Sequence, residues 1–386
     1  MTPKLLLKIN IMSIPNPMKN LFLVLLVSIS FLQESTAQKF VNEFLNIGVG
    51  ARAHGMFGSV VAHVDDATAG YWNPAGLTQL NAPLQVSAMH TNWFGGIANY
   101  DYLSIAKKFK GERNAAGGFT IIRMGVDNIP NTLNLIGADG TVNYDRITTF
   151  STSDYAAILS YARDMNAKGN FSIGGNIKVI NRSIGSFGTA WGFGADIGTQ
   201  WRGDKFSFGA SVRDITTTFN AWSFTLTEEE KLTFQKTDND IPVSSTEVTL
   251  PRLIVGAAFH TKSGKMSYLA EADLNISTNG TKAGVLSGNK FAVDPTIGVE
   301  VGFADRVFVR VGVGNIQSVI NPSAIDQIER NLEFQPNIGM GLNLGRLNVD
   351  YALTNIGSVS GILVSHVFSL TLDFNARVNN NDEIVN

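Results

Sequence analysis

The feature that most constrains the fold of this 386-residue chain is a period-two alternation of apolar and polar residues. It recurs in segments of roughly ten residues, and successive side chains of a β-strand point to opposite faces. The pattern therefore predicts about fourteen strands, each with one apolar face. The predicted segments are Leu84–Thr91, Tyr100–Lys107, Ala115–Met124, Tyr155–Ala162, Phe171–Val179, Trp191–Gly198, Phe206–Arg213, Leu253–Phe259, Tyr268–Leu274, Thr296–Phe303, Val307–Val313, Asn337–Leu344, Leu347–Leu353 and Phe368–Phe374.

Three observations favour a membrane barrel over a soluble β-sandwich, which would also alternate. Charged residues make up 16% of the chain, below the ~25% of typical soluble domains. The apolar faces carry almost no charge, and the polar faces are mainly Gly, Ser and Asn. Strands of ten residues also have the length that crosses a bilayer at a tilt. We predict an all-β protein, a transmembrane antiparallel β-barrel of about fourteen strands.

The links between the predicted strands alternate between short and long. Two links, near Asn92–Ala98 and Asn181–Phe187, depart from this alternation, because they are short at positions where a long link is expected. Short turns at one rim and long loops at the other are typical of outer-membrane barrels, whose turns face the periplasm. An even strand count then places both termini in the periplasm. The short links are Lys107–Arg113, Arg163–Gly169, Arg202–Lys205, Thr261–Lys265, Ala304–Asp305 and Gly345–Arg346, and the long ones are Gly125–Asp154, Asp214–Thr249, Asn275–Asp294, Gly314–Leu332 and Thr354–Leu363.

The N-terminus resembles a secretory signal peptide. Lys19 precedes the apolar run Leu21–Leu32, and Ser35-Thr36-Ala37 is a small-x-small cleavage site. The run is too short for a transmembrane helix. We expect a signal peptide at 1–37, a plug at 38–82, a barrel at 83–374 and a polar tail at 375–386. The chain has no Cys, and its net charge of −2 gives no reason to expect nucleic acid.

One stretch, Asn46–Leu77, lacks the alternation and is rich in Gly and Ala. It precedes the first strand, so it enters the barrel from the periplasmic side, and we predict that it lies in the lumen. Its pair Asp65-Asp66 could bind a cation or act as an acid pair. We favour instead a helix start, where Asp accepts backbone N–H bonds. Asn73-Pro74 is first a turn signal.

The segments Gly48–Met56, Val64–Ala69 and Tyr71–Leu77 look like the N-terminal signature of the PorV/PorQ family, outer-membrane proteins of Bacteroidota. The ending Ser365–Phe374 resembles the last strand of that family. The family is similar in turn to FadL-type fatty-acid transporters, fourteen-stranded barrels whose N-terminal hatch also holds an Asp-Asp and an Asn-Pro-Ala pattern. The resemblance implies a structural role in the hatch for Asp65, Asp66, Tyr71, Trp72, Asn73, Pro74 and Gly76.

The PorV/PorQ resemblance also implies a function and partners. Such proteins are non-enzymatic parts of the type IX secretion system. They associate with the SprA-type translocon subunit and receive the C-terminal signal domains of secreted cargo. We expect membrane lipid or lipopolysaccharide as a further partner, and no cofactor, metal or catalytic residue. A FadL-like transporter of hydrophobic small molecules, whose hatch moves to open a lateral path, is the alternative, and a plain porin is a third.

The long link Asp214–Thr249 contains four aromatic residues and Glu228-Glu229-Glu230. Exposed aromatics on an outer loop are candidates for contact with a protein partner. Equally, they could fold over the barrel mouth as a lid. These residues are Phe219, Trp222, Phe224 and Phe234.

Overall fold

The structure is a computed structural model, and it describes residues 41–109, 114–136, 140–166, 168–278, 291–320, 330–356 and 364–374. The predicted signal peptide, the C-terminal tail and parts of several links lie outside these residues. The strands are β1 Leu84–Trp93, β2 Ala98–Phe109, β3 Ala115–Asn131, β4 Thr148–Asp164, β5 Phe171–Ile184, β6 Gly188–Arg202, β7 Phe206–Arg213, β8 Thr218–Phe224, β9 Thr246–Thr249, β10 Arg252–Ser263, β11 Met266–Ser277, β12 Ala292–Phe303, β13 Val307–Ile320, β14 Arg330–Asn343, β15 Leu347–Thr354 and β16 Ser365–Phe374.

The sheet is antiparallel and closes on itself, because β1 pairs with β16 from Leu84↔Phe374 to Asn92↔His366. The strand segments fill fourteen positions around the barrel. β7 and β8 lie end to end beside β6 and together fill one position. In the next position β10 pairs with β7 and β9 pairs with β8, so these two segments also lie end to end. The predicted fold class is thus confirmed.

The outer surface of the wall is apolar and the lumen side is polar. On β13, Val307, Val309 and Val311 are exposed, while Arg310 between them is buried. Exposed Leu and Ile side chains such as Leu159 cover the outside of the other strands. A closed sheet satisfies its own backbone hydrogen bonds, so this apolar surface suits the hydrocarbon of a bilayer. None of the described helices is both long enough and apolar enough to span a membrane.

The predicted segments lie within strands, except that Leu344 lies one residue beyond the end of β14. The predicted long links were wrong in extent, most clearly in two cases. Gly125–Asp154 is strand at both ends, because β3 continues to Asn131 and β4 begins at Thr148. Asp214–Thr249 contains β8, β9 and the helix Glu228–Lys236. The alternation was hidden there because residues 214–217 interrupt the wall, with Asp214 and Thr217 at positive φ.

Residues 41–82, which we call the plug segment, form short helices inside the barrel. They make side-chain contacts with strands on every side of the closed wall, from Ser369 on β16 to Thr249 on β9. Many of its side chains, including Met56, Val61 and Leu77, are completely buried. The helices are Glu43–Asn46, Ala51–Gly55, Ala69–Trp72 and Pro74–Gln79, and outside the plug segment lie Phe94–Gly96, Tyr144–Arg146 and Glu228–Lys236.

Glycines on the lumen face let the plug backbone lie directly against the wall. A Cβ atom added to Gly312 would lie 2.2 Å from the carbonyl carbon of Met56. One added to Gly209 would lie 2.3 Å from the oxygen of Val61. Real Cβ atoms do not approach backbone atoms so closely, so these positions fit the plug only without a side chain.

We expect Gly312→Ala to destabilise the protein by about 1–3 kcal/mol, the usual effect of overpacking. The added methyl group displaces Met56 and Phe57 from the wall. The midpoint of urea unfolding, followed by tryptophan fluorescence, measures the change. Gly175→Ala is the matched control, because the nearest atom to its added Cβ lies 3.5 Å away. Equal midpoints for the two variants would contradict this packing.

Candidate functional site: the lumen and its plug segment

An ion-pair network connects the plug segment to the wall. Arg52 donates from Nε and Nη2 to the two carboxylate oxygens of Glu300 on β12, at 3.0 and 3.2 Å. Arg310 on β13 binds the same carboxylate at 2.5 Å and Asp350 on β15 at 2.6 Å. Arg52 also binds Asp65 within the plug segment at 2.8 Å. The network therefore holds the plug to three strands through charge-assisted hydrogen bonds.

The predicted pair Asp65-Asp66 has two different roles. Asp66 accepts hydrogen bonds from the backbone N–H and the hydroxyl of Thr68, just before the helix Ala69–Trp72. Our expectation of a helix start thus describes Asp66. Asp65 instead binds two guanidinium groups, Arg52 at 2.8 Å and Arg202 on β6 at 3.6 Å. It extends the ion-pair network across the lumen.

The pKa values of these two carboxyl groups shift in opposite directions. Burial alone would raise the pKa of Asp65, but Arg52 and Arg202 outweigh it and hold the pKa below its ordinary value. Burial dominates at Asp66 and raises the pKa of its carboxyl. Burial of the neighbouring His63 and the positive charge of Arg202 lower the pKa of this imidazole to about 3. The imidazole is therefore neutral at pH 7.

Two carboxyl groups of β11 hold the next turn of the plug segment. Glu271 accepts from the backbone N–H of Ala62 at 2.6 Å, and Asp273 accepts from those of Val60 and Val61 at 3.1 and 3.2 Å. Both side chains are buried. Three consecutive plug amides are thereby paired with wall carboxyl groups, as buried backbone donors require.

The predicted residues Tyr71 and Trp72 hold the plug segment together and contact the wall. Tyr71 donates from its hydroxyl to the carbonyl of Leu45 at 2.5 Å, and Trp72 donates from Nε1 to that of Val49 at 2.9 Å. Arg213 on β7 lies over the Tyr71 ring, 4.2 Å from its centroid. The pair joins the two halves of the plug segment across a sequence gap of more than twenty residues.

Asn73 connects the plug segment to the wall by one side chain. Its Nδ2 donates to the carbonyls of Val61 and of Thr199 on β6, both at 2.9 Å. Its Oδ1 accepts from the backbone N–H of Ala75 and so caps the helix that Pro74 begins. A Cβ on Gly76 would lie 2.4 Å from the oxygen of Val64, so this position has no room for a side chain.

The wall is interrupted beside the plug segment. Between β7 and β8, residues 214–217 leave the ladder, and Ile215 retains a hydrogen bond to Ala195 on β6. In the neighbouring strand position of the wall, the ladder is interrupted by residues 250–251, which separate β9 from β10. We call residues 214–217 and 250–251 the wall break.

A buried ion cluster closes the lumen side of the wall break. Lys178 on β5 binds Asp196 on β6 at 2.7 Å and Asp214 at 2.6 Å. The backbone N–H of Asp214 donates to Asp196 at 2.8 Å. The side chains of Lys178 and Asp196 are 4% and 6% exposed. Because water cannot solvate these buried charges, each is stabilised by the opposite charge beside it.

The four predicted partner-contact aromatics do not form a common surface. Phe219, Trp222 and Phe224 lie on β8, so the expected loop location was wrong. Phe219 faces outward, whereas Trp222 is buried in the lumen with the guanidinium of Arg182 over its ring. Phe234 lies on the surface helix that follows β8. Their predicted contact with a partner stays a prediction.

A cavity of about 850 Å³ lies between the plug segment and the rim with short turns. Its walls are mostly polar and charged, including Arg52, Asp65, Lys205, His260 and Asp305. Across the described residues, no three side chains of the His, Asp or Glu type gather as a metal site would require.

The residues that hold the plug segment to the wall were not predicted from the sequence. Arg52 lies within the signature segment Gly48–Met56, whereas Glu300, Arg310, Lys178 and Asp196 belong to no recognised motif. The available signal was their position: each strand member stands on the polar face of an alternating segment. A charge on the lumen face of a barrel needs a partner, and only the closed structure shows which one.

The described residues define a class, an outer-membrane-type barrel whose lumen holds an N-terminal segment. Three solved structures share the fold. They are the CymD monoaromatic hydrocarbon channel (13% identity, TM-score 0.51), the Pseudomonas putida toluene transporter TodX (12%, 0.51) and the Ralstonia pickettii toluene transporter TbuX (12%, 0.50), each aligned over 85% of this chain and 98% of its own.

The fold is therefore that of a FadL-like outer-membrane barrel. At these identities the likeness concerns the fold. No protein-family model and no curated protein matches the chain. Membership of the PorV/PorQ family accordingly stays a prediction from the signature segments.

Proposed function

We propose that this barrel passes small hydrophobic molecules across the outer membrane and that they bind in its lumen. One observation carries the proposal: part of the lumen face is apolar although the remainder is polar and charged. The apolar side chains belong to β15, β16 and β1–β5 and form what we call the apolar lumen cluster. Its strand members are Met89, Tyr100, Tyr102, Ile122, Ala156, Ile158, Ile180, Ala352 and Val367.

The apolar lumen cluster packs on plug side chains that a ligand could replace. Phe44, Leu45 and Val49 of the plug segment are buried against it. Trp93 and Met124 lie at its edge and are only partly buried. Sites for small hydrophobic ligands are lined by such apolar and aromatic residues, with few polar groups among them.

A route out of the cluster is available through the wall break. A small cavity there is lined by Leu45, Tyr71 and Ile158 on one side and by Lys178 and Arg252 on the other. Movement of the plug segment, together with separation of Lys178 from its carboxylates, would connect the lumen to the bilayer. That CymD is described as a hydrocarbon channel and TodX and TbuX as toluene transporters supports this proposal.

Uptake of a radiolabelled long-chain fatty acid and of toluene, measured in a deletion strain, tests the proposal. We expect uptake to fall and to return when the full chain is expressed. Complementation with Ile122→Ala should restore it only partly, because this side chain belongs to the apolar lumen cluster. Ile121→Ala is the matched control, since the neighbouring Ile121 faces the lipid. Normal uptake of both compounds in the deletion strain would refute the proposal.

A second candidate function is protein secretion, as the PorV/PorQ resemblance implies. One observation favours it: wall strands bind the plug segment through its signature residues Arg52 and Asn73, and a secretion partner does not need an open lumen. In this proposal a SprA-type translocon subunit binds the barrel, and cargo C-terminal signal domains are passed to the surface. Both termini would lie in the periplasm.

Affinity purification of the tagged protein from native membranes tests the secretion candidate. Recovery of a very large translocon subunit together with secreted cargo supports it. If neither is recovered while fatty-acid or toluene uptake depends on the protein, the secretion candidate fails and the channel stands. Blocked secretion with normal uptake in the deletion strain gives the reverse result.

A further inference from the structure

A row of polar side chains crosses the outer surface of four neighbouring strands. His90 on β1 donates from Nδ1 to the carboxylate of Asp101 on β2 at 2.7 Å. Arg123 on β3 donates from Nη1 to the same carboxylate at 3.0 Å and from Nε to the hydroxyl of Tyr155 on β4 at 3.2 Å. Each residue stands directly opposite the next in the strand register. We call these four residues the outer polar row.

The row belongs to the surface that faces the membrane, because its members alternate with buried residues of the lumen side. The side chains of His90, Asp101 and Arg123 are 56%, 40% and 33% exposed. Directly below them on the same face lie exposed apolar residues, among them Leu103 and Ile121. The row is therefore the upper border of the apolar band on these strands.

Its height matches the outer interface of the bilayer. Asp101 lies about eight residues above Phe109 at the turn rim and about three below Ala98 at the other end of β2. Eight residues correspond to ~20 Å of height, from ~3.3 Å per residue and a tilt of ~40°. The apolar band of outer-membrane barrels is ~25 Å tall, and their short turns face the periplasm. The outer polar row thus lies where hydrocarbon gives way to the headgroups of the outer leaflet.

The row presents hydrogen-bond donors that the protein itself does not use. Among the described residues, Arg123 Nη2 has no partner; it lies over Gly125, where a Cβ would be 2.8 Å away. The hydroxyl hydrogen of Tyr155 is also available. Asp101 holds both His90 and Arg123 in place. A planar guanidinium beside further donors is the arrangement that binds phosphate.

We propose that the outer polar row binds a phosphate group of a phosphorylated glycolipid in the outer leaflet, through Arg123 and Tyr155. The polar surface continues on the next strands, where Asn92 stands opposite His366 and the Tyr351 hydroxyl lies 2.7 Å from His366 Nδ1. These groups can contact the sugars beside the phosphate. The site lies outside the lumen, so it goes beyond the proposed passage of hydrophobic molecules.

The opposite wall gives an internal comparison. At the corresponding eight residues from the turn rim, the outward positions of β12 and β13 are Pro295 and Asn315, neither of which carries a charge. If the polar row only stabilised the pairing of the four strands, it would bind no phosphate. The two explanations differ in whether phosphate binding depends on Arg123.

Binding of a bis-phosphorylated lipid A to the purified full-length protein, measured by native mass spectrometry, tests the proposal. We expect Arg123→Gln to weaken binding about tenfold through loss of a charge-assisted contact. Arg163→Gln is the matched control, because Arg163 is exposed at the turn end of β4 and the charge change is the same. It should bind as the wild type does. The mobility of unheated protein on a gel confirms that each variant is folded.

A second comparison uses the wild-type protein, so it does not depend on the folding of any variant. We expect the dephosphorylated lipid to bind at least tenfold more weakly than the phosphorylated one. Equal binding of the two lipids would overturn the proposal. Unchanged binding of phosphorylated lipid by folded Arg123→Gln, or an equal loss with Arg163→Gln, would overturn it as well. Because no transport is measured, the result is separate from the outcome of the uptake and secretion experiments.

Discussion

Replacing Arg52 with glutamine is expected to loosen the plug segment from the wall and to destabilise the protein by about 3 kcal/mol. Arg52 is the plug residue that joins Asp65 to Glu300, and its side chain is 24% exposed. Its loss removes a cationic partner from three partly buried carboxylates, because Asp66 also lies 3.7 Å from Arg52. Asp65 then keeps Arg202 as a partner, and Glu300 keeps Arg310. Removing one member of such a network costs more than the interaction contributes, since the others stay desolvated.

The urea midpoint and the rate of proteolysis within 41–82 measure this effect. Lys262→Gln is the control, because it breaks the pair with Asp305, whose side chains are 67% and 65% exposed. A surface pair of this kind contributes little, so no measurable shift is expected. If Arg52→Gln and Lys262→Gln unfold at the same urea concentration, the ion-pair network does not hold the plug segment.

The second large effect is expected for Lys178→Met at the wall break. Asp196 and Asp214 then share a buried region without the ammonium group that lies 2.7 and 2.6 Å from them. Uncompensated buried charges cost about 3–5 kcal/mol. The wall between β6 and β8 should therefore open or unfold first, and the folded form on unheated gels should be lost at a lower temperature.

A rescue variant shows whether charge is the cause. Replacing both carboxylates as well, in Lys178→Met with Asp196→Asn and Asp214→Asn, removes the uncompensated charge and should recover much of the lost stability. If the triple variant is no more stable than Lys178→Met, the loss came from packing rather than from the ion cluster.

The barrel could be predicted because one local rule governs each strand. On β13, residues two apart share a face, so Val307, Val309 and Val311 reveal a membrane-facing surface without knowledge of any partner. The rule fails where the ladder is interrupted. Positive φ at Asp214 and Thr217 breaks the period, and β8 was therefore assigned to a loop.

The site could be predicted only where its bonds are local. The interaction of Asp66 with Thr68 spans two residues, and the turn at Asn73-Pro74 spans two as well. The bond between Arg52 and Glu300 spans 248 residues. Nothing near Arg52 in the sequence indicates a strand glutamate as its partner, since the pairing depends on how the plug segment lies in the closed barrel.

The sequence by itself determined the class of this protein: membrane-crossing strands, a polar lumen and a separate N-terminal segment. These follow from side-chain periodicity and composition, which act over neighbouring residues. Tertiary structure alone decided that inward Ile122 and Ile180 gather in an apolar lumen cluster, that Lys178 closes the wall break, and that outward His90, Asp101 and Arg123 form one row. The reason is that closing a sheet brings strands that are distant in sequence into register. A side-chain contact between two such strands cannot be recognised from the sequence of either strand alone.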